Sequence, residues 1–301
     1  MGLGSWVNAH MIRPVPRHPL LLMVVSAVCF AVMALAAKLA AAELSGSEVA
    51  FFRFVFMLAP VLAVPSLARK AVTFERLDLL LYRGLFGGVA VLLYFLAIEH
   101  VAVGIATLLN YCSPIFSVAF AALFLGERVD RRLLLPLAAA MAGVVLVVEG
   151  EGTGGWLHFS FWEAAGLVSA VLSGAAVTAI RAARRTEGSW SIYGSLGVFG
   201  LAATAPFGIA GFRAPTPRQW LLLAAVGVFS VAAQLLMTHA YRWVTNLQAG
   251  VIMQLTVVLS LLLGALFLGD RLSPPQLLGS ALTVAGVLGV VWLQSPPRAV
   301  V

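Results

Sequence analysis

The chain has 301 residues, of which 61% are hydrophobic and only 10% charged. A water-soluble domain carries about 25% charged residues, so this pattern excludes a soluble globular enzyme and makes lipid the solvent. The net charge of +7 is carried by arginines clustered between apolar runs, which reads as the loops of an integral membrane protein and not as a nucleic-acid surface.

The first 18 residues are a short polar segment. The apolar stretch that follows is too long for a signal-peptide core, and it ends at Lys38 and Glu43 without a small-residue cleavage site. It is expected to remain as the first span. A helix needs about 20 apolar residues to cross the hydrocarbon layer. Ten such helices are predicted, over residues 19–41, 47–68, 77–99, 104–125, 133–149, 161–184, 190–211, 218–242, 246–268 and 275–294. Their punctuation is Gly46, Gly104, Gly126-Glu127-Arg128, the glycine cluster at 149–155, Pro215 with Pro217, and Ser273-Pro274-Pro275. Residues 295–301 form a short tail. Cys29 and Cys112 lie inside apolar runs with no metal or disulfide spacing.

The chain repeats itself at an offset of 143 residues. Ala122-Leu123-Phe124-Leu125-Gly126-Glu127-Arg128 returns as Ala265-Leu266-Phe267-Leu268-Gly269-Asp270-Arg271, and 14 of 27 positions agree between residues 122–148 and 265–291. Val25-Ser26-Ala27-Val28 returns as Val168-Ser169-Ala170-Val171, and Lys38 aligns with Arg181. The expected domains are therefore two five-helix repeats, residues 19–150 and 161–294. Five spans is an odd number, so the second copy enters the bilayer inverted, the construction of alternating-access transporters.

With the N-terminus inside, 14 of the 19 Lys and Arg residues fall at inner ends, Arg76, Arg83, Arg184 and Arg185 among them. The positive-inside rule then predicts both termini in the cytoplasm of a bacterial-type inner membrane.

Two copies of about 140 residues, each closing its fourth helix with ALFLGER or ALFLGDR and its fifth with AGVVLVV or AGVLGVV, resemble the EamA-type drug/metabolite transporters. The resemblance covers residues 19–294. It implies ten helices around a central cavity among helices 1–4 and 6–9, with helices 5 and 10 peripheral. No nucleotide-binding, metal-ligand or cofactor motif is present, so transport is expected to be secondary and no cofactor is expected.

Ionisable residues inside a membrane are expensive and usually face a cavity. Lys38 and Arg53 either snorkel to the outer interface beside Glu43 or Glu48 or give the cavity a positive lining. For Arg53, set among Phe51, Phe52 and Phe54, the cavity is the stronger reading. Pro114 removes the amide that would bond the carbonyl of Asn110, so Asn110 and Tyr111 form either a ligand site at a kink or a packing kink with Asn110 bonded to a neighbouring helix. Tyr111 aligns with Gln254, a second deep polar residue. Gln234, His239 and Tyr94 complete the candidates, His239 as a proton carrier or as an interfacial histidine. Gly84 and Gly88 form a GxxxG, and Ala138/Ala142 recurs as Ala281/Ala285. These small residues suit close helix packing or a hinge.

A secondary exporter of small metabolites, amino acids or related zwitterions, fits these features best. A multidrug or cation exporter is the alternative, but it needs a midplane carboxylate, and Glu99 and Glu163 lie near outer ends. A non-transporting scaffold is a third class. The five histidines make no HExxH and no serine sits in GxSxG, so no enzyme is expected. The partners are a small-molecule substrate and the bilayer, with no nucleic acid, in a monomer or homodimer.

Overall fold

A computed structural model of the chain describes residues 17–41, 43–72, 75–100, 109–110, 112–127, 130–149, 161–210, 212, 214–269 and 272–293. Every regular element among them is helical: α1 (Arg17–Ala41), α2 (Gly46–Ala63), α3 (Pro65–Val72), α4 (Leu77–His100), α5 (Ser113–Leu125), α6 (Leu134–Glu149), α7 (Phe161–Ala183), α8 (Ser189–Ala210), α9 (Pro217–Ala240), α10 (Asn246–Met253), α11 (Leu255–Leu268) and α12 (Pro274–Leu293), with a 3₁₀ turn at Arg131–Leu133. Seven segments are long and apolar enough to cross a bilayer, and Ser113–Leu125 and Pro274–Val290 are shorter apolar helices. Leu123, Phe124, Leu266 and Phe267 are 70–76% exposed, a surface that suits lipid and not water. The chain is an all-α integral membrane protein.

Local chemistry sets the helix ends. Ser45 with Glu48, Thr216 with Gln219, and Thr245 with Gln248 form capping boxes at the starts of α2, α9 and α10. The repeated Leu-Gly turns stop α5 and α11 the same way, with Gly126 at φ 62° and Gly269 at φ 73°, a left-handed conformation that glycine adopts without a Cβ penalty. The second predicted span proves shorter than 47–68. Pro65 lacks a donor and forces Val64 extended (φ −119°, ψ 105°), so α2 ends at Ala63 and a separate α3 carries Arg69 and Lys70. The ninth span, predicted as continuous, is interrupted at Gln254, whose amide turns back to the Val251 carbonyl at 3.2 Å. One position away from the repeat equivalent, Cys112 makes a similar three-residue turn to Leu109 at 3.1 Å in the first half, although Pro114 has only a valine, Val257, at its repeat position. The two interrupted helices touch there, because a Cβ on Gly250 would sit 2.7 Å from Pro114.

Helices pack mainly across the two halves. α1 lies along α9 and α11, while α7 lies along α4 and α5. α2 meets α8 and α9, while α8 meets α2 and α4. Shifting one member of each set by 143 residues generates the other. Single hydrogen bonds obey the same operation: Ser26 donates to the Ala233 carbonyl at 2.8 Å, and Ser169 to the Ala90 carbonyl at 2.7 Å. α6 crosses α12 where residues meet their own counterparts, Thr283 with Ala140 at 3.4 Å. A Cβ on Gly143 would lie 2.6 Å from the Thr283 amide, and one on Gly286 would lie 2.6 Å from the Pro136 carbonyl. Ala138, Ala142, Ala281 and Ala285, the small residues expected to suit close helix packing, are exposed instead.

Candidate functional site

The capping box at Ser45 fixes where α2 begins, and Arg53 falls seven residues further, about 10 Å along the axis. It is 8% exposed. Its Nε donates to Ser230 Oγ of α9 at 2.8 Å, and its guanidinium lies 5.7 Å from the Phe54 ring centre. One turn on, the Met57 carbonyl accepts the Tyr193 hydroxyl at 2.6 Å. Tyr193 and Tyr94 both lie within electrostatic reach of Arg53.

A second arginine shares this region. Arg83 on α4 is 5% exposed, and its buried Nε finds no acceptor. Its guanidinium folds back over Gly87, where any Cβ would collide with Nη1, and Leu196 of α8 closes the other side at 2.8 Å from that position. Arg53 and Arg83 feel one another's charge, and Tyr241 lies within reach of Arg83. The ion pairs among the described residues join Arg76 to Asp78, Arg181 to Glu127 and Arg218 to Glu43, and none of them takes in Arg53 or Arg83. Sequence reading placed Arg83 among the inner loop charges. The available signal was its position inside the predicted span 77–99, with a glycine one turn further on.

The other predicted residues are dispersed. Tyr94 is half-buried, edge-on to Phe95 at 5.7 Å. Lys38 is exposed in the last turn of α1. Asn110 Nδ2 donates to Ser169 Oγ at 3.1 Å, extending the Ser169–Ala90 bond, so it ties the segment before α5 to α7 and α4. Tyr111 lies outside the described residues. Gln234 is buried, its Nε2 3.4 Å from Thr238 Oγ1 on the same helix. His239 is exposed at the end of α9 against Trp243, with ring centres 5.1 Å apart. Gln254 is fully buried, and its Nε2 points to Met141 Sδ of α6 at 3.1 Å. Pro114 is buried against Gly250. α4 runs unbroken through Gly84 and Gly88, where Cβ atoms would approach the Ser195 carbonyl at 2.7 Å and Gly200 Cα at 2.9 Å. These two glycines mark the closest approach of α4 to α8.

Two polar clusters were not anticipated. Asn246 at the start of α10 donates to the Ser117 carbonyl at 3.0 Å and to Thr178 Oγ1 at 2.9 Å, joining α10, α5 and α7. Nearby, Glu127 of the first Leu-Gly-Glu-Arg turn accepts from Arg181 Nε at 2.8 Å, and Arg181 Nη1 donates to the Tyr241 carbonyl at 2.8 Å. This last cluster links the end of α5, the last turn of α7 and the turn after α9.

The family model described as "EamA-like transporter family" matches this chain twice, over residues 18–149 and 160–292. A pseudopaline exporter of Pseudomonas aeruginosa is 29% identical over 282 residues, 93% of this chain and 96% of that one. An uncharacterized transporter of Helicobacter pylori is 27% identical over 256 residues, covering 80% and 83%. A riboflavin transporter of Rhizobium johnstonii is 28% identical over 186 residues, covering 60% and 58%. A solved crystal structure superposes with a TM-score of 0.76 at 22% identity, covering 91% of this chain and 98% of that one.

Proposed function

The chain belongs to the EamA-like transporter family, and from that premise we propose a secondary exporter that moves small metabolites, amino acids or related zwitterions, by alternating access. It is a small-molecule transporter of the membrane. The finer reading is ten spans in two inverted five-helix repeats, residues 19–150 and 161–294, with both termini in the cytoplasm of an inner membrane. The observation that carries it is the reciprocal bonding of Ser26 to Ala233 and Ser169 to Ala90. Helices exchanged between halves in matched pairs can adopt either of two packings related by the pseudo-twofold rotation at similar energy, which alternating access requires.

In this scheme the Glu127–Arg181 pair latches one end, and opening that end breaks it. The offset of 143 puts Asp270 and Lys38 in the same relation, and we assign them the opposite latch. Arg53 with Tyr94 supplies the substrate's carboxylate contact, while Tyr193 braces the α2 backbone beside it. Gln234 and Gln254 supply deep amides, His239 is a candidate proton carrier near the end of α9, and Lys38 guides anions to the outer mouth. Proton–cation exchange is disfavoured, since Glu48, the buried acid of α2, is held in its capping box.

The test is counterflow of labelled amino acids in proteoliposomes. Saturable, protein-dependent exchange that falls at least tenfold in Arg53→Gln supports the reading. Exchange unchanged in that variant, for every amino acid that moves, removes Arg53 from the pathway.

A further inference from the structure

Resting on the transporter reading above, we propose that Arg53 and Arg83 form one oxyanion site and that the substrate carries net negative charge, a polycarboxylate or phosphorylated organic acid. Both side chains are more than nine-tenths buried, Arg53 at 8% and Arg83 at 5% exposed. They flank one face of α8: Tyr193 ties to the α2 backbone one turn from Arg53, and Leu196 packs where Arg83 lies over Gly87. The only hydrogen bond between a protein group and either guanidinium among the described residues is that of Arg53 Nε to the neutral Ser230 hydroxyl, while Nε of Arg83 donates to nothing.

Two cations held in a lipid-surrounded interior within each other's field, with no carboxylate of the described residues paired to either, are costly unless a ligand brings the counter-charge. Guanidinium forks match carboxylate and phosphate oxygens. Among the described residues nothing comparable awaits an ammonium group, because their buried acids, Glu48 and Glu187, are both engaged by backbone amides, at Ser45 and at Glu75 with Arg76. Arg53 lies about 10 Å from the first residue of α2, and Arg83 about 9 Å from that of α4. Opposed starting faces would put the two guanidiniums on either side of the midplane, so that one anion is held between them.

Thermal unfolding of the full-length protein in neutral detergent at constant ionic strength reads the site. The probes are citrate, succinate and inorganic phosphate, with trimethyl citrate, glycine betaine and putrescine as controls. Citrate or phosphate is expected to raise the midpoint saturably by several degrees and trimethyl citrate to leave it unmoved. The half-saturating concentration should rise at least tenfold in Arg53→Gln and in Arg83→Gln, rise less in Arg83→Lys, and stay unchanged in Arg185→Gln. Which anion saturates lowest separates a carboxylate from a phosphate substrate. Phosphatidylglycerol is added separately, and stabilisation by it alone assigns the arginines to lipid and overturns the proposal. Trimethyl citrate as effective as citrate overturns it without recourse to any variant, as does citrate stabilisation that survives in the double glutamine variant. Exchange of neutral amino acids with no anion binding ends this inference and leaves the transporter intact, while anion binding without flux does the reverse.

Discussion

Neutralising Glu127 tests whether the signature turn is a latch or a simple helix terminator. Arg181 and Glu127 meet at 2.8 Å with side chains 18% and 17% exposed, so solvent screening is partial. Coulomb attraction at that distance is about 6 kcal/mol gross for an effective dielectric of 20. Desolvation consumes most of it, leaving about 1.5–3 kcal/mol net for a charge-assisted hydrogen bond. If the pair exists in only one of two conformations, its loss shifts their ratio by roughly 10- to 150-fold. Thr178, buried one turn before Arg181 on α7, is the reporter. A Thr178→Cys variant with Cys29 and Cys112 changed to Ser is labelled by maleimide in sealed vesicles of defined orientation. Labelling should accelerate at least tenfold in Glu127→Gln. It should accelerate more in Arg181→Gln, which also loses the bond to the Tyr241 carbonyl. The exchange Glu127→Arg with Arg181→Glu restores the ion pair but not the bond to the Tyr241 carbonyl, and should bring the rate part of the way back from that of Arg181→Gln. Equal rates in all four proteins would refute the latch, as would a charge exchange that behaves like Arg181→Gln.

Other outcomes follow from the packing. Gly88→Ala forces a Cβ to 2.9 Å from Gly200 Cα and is expected to cost about 1–3 kcal/mol in denaturant unfolding, whereas Gly166→Ala, with Leu109 Cδ1 at 3.3 Å, should fall within about 0.5 kcal/mol of wild type. Ser26→Ala should cost about 0.6 kcal/mol, and Ser169→Ala more in the same assay, because its hydroxyl also accepts from Asn110 Nδ2 at 3.1 Å; a smaller cost at Ser169 than at Ser26 would contradict this bonding. Gly126→Ala meets nothing within 4 Å but holds φ 62°, so it should lose about 1–2 kcal/mol from backbone conformation alone, and the same change at Gly269 should match it.

The helices and the depth of Arg53 were legible because hydropathy and proline punctuation act locally. Arg83 was not, because an arginine six residues inside a span end looks like any interfacial charge until its neighbours are known. Pro114 announced the interruption before α5, yet the same interruption at Gln254 has no proline to mark it and arises from how α10 and α11 pack. Hydroxyls inside helices commonly bond their own backbone, as Thr204 does to Gly200 at 2.8 Å. The repeated Val-Ser-Ala-Val segment marks Ser26 and Ser169 as a pair, but not that they bond across to another helix. The α6–α12 contact was not legible: the pairs Ala138/Ala142 and Ala281/Ala285 suit close packing but name no partner helix, and in lipid both faces of a helix are apolar, so hydropathy cannot say which one meets protein. Gly143 and Gly286 carry the contact, while those alanines are exposed.

The α6–α12 crossing also constrains biogenesis. Gly143 is made in the first half, but its partners Gly279 and Thr283 leave the ribosome almost a full repeat later, roughly 7–30 s at ordinary elongation rates. During that interval the first half of the chain resides in the bilayer with the groove at Gly143 unfilled, and α1 and α4 still await α9 and α7. Neither half can reach its final packing alone. A chain stalled or truncated before residue 274 should therefore present an intact set of inserted helices and still be recognised by membrane quality control as unassembled.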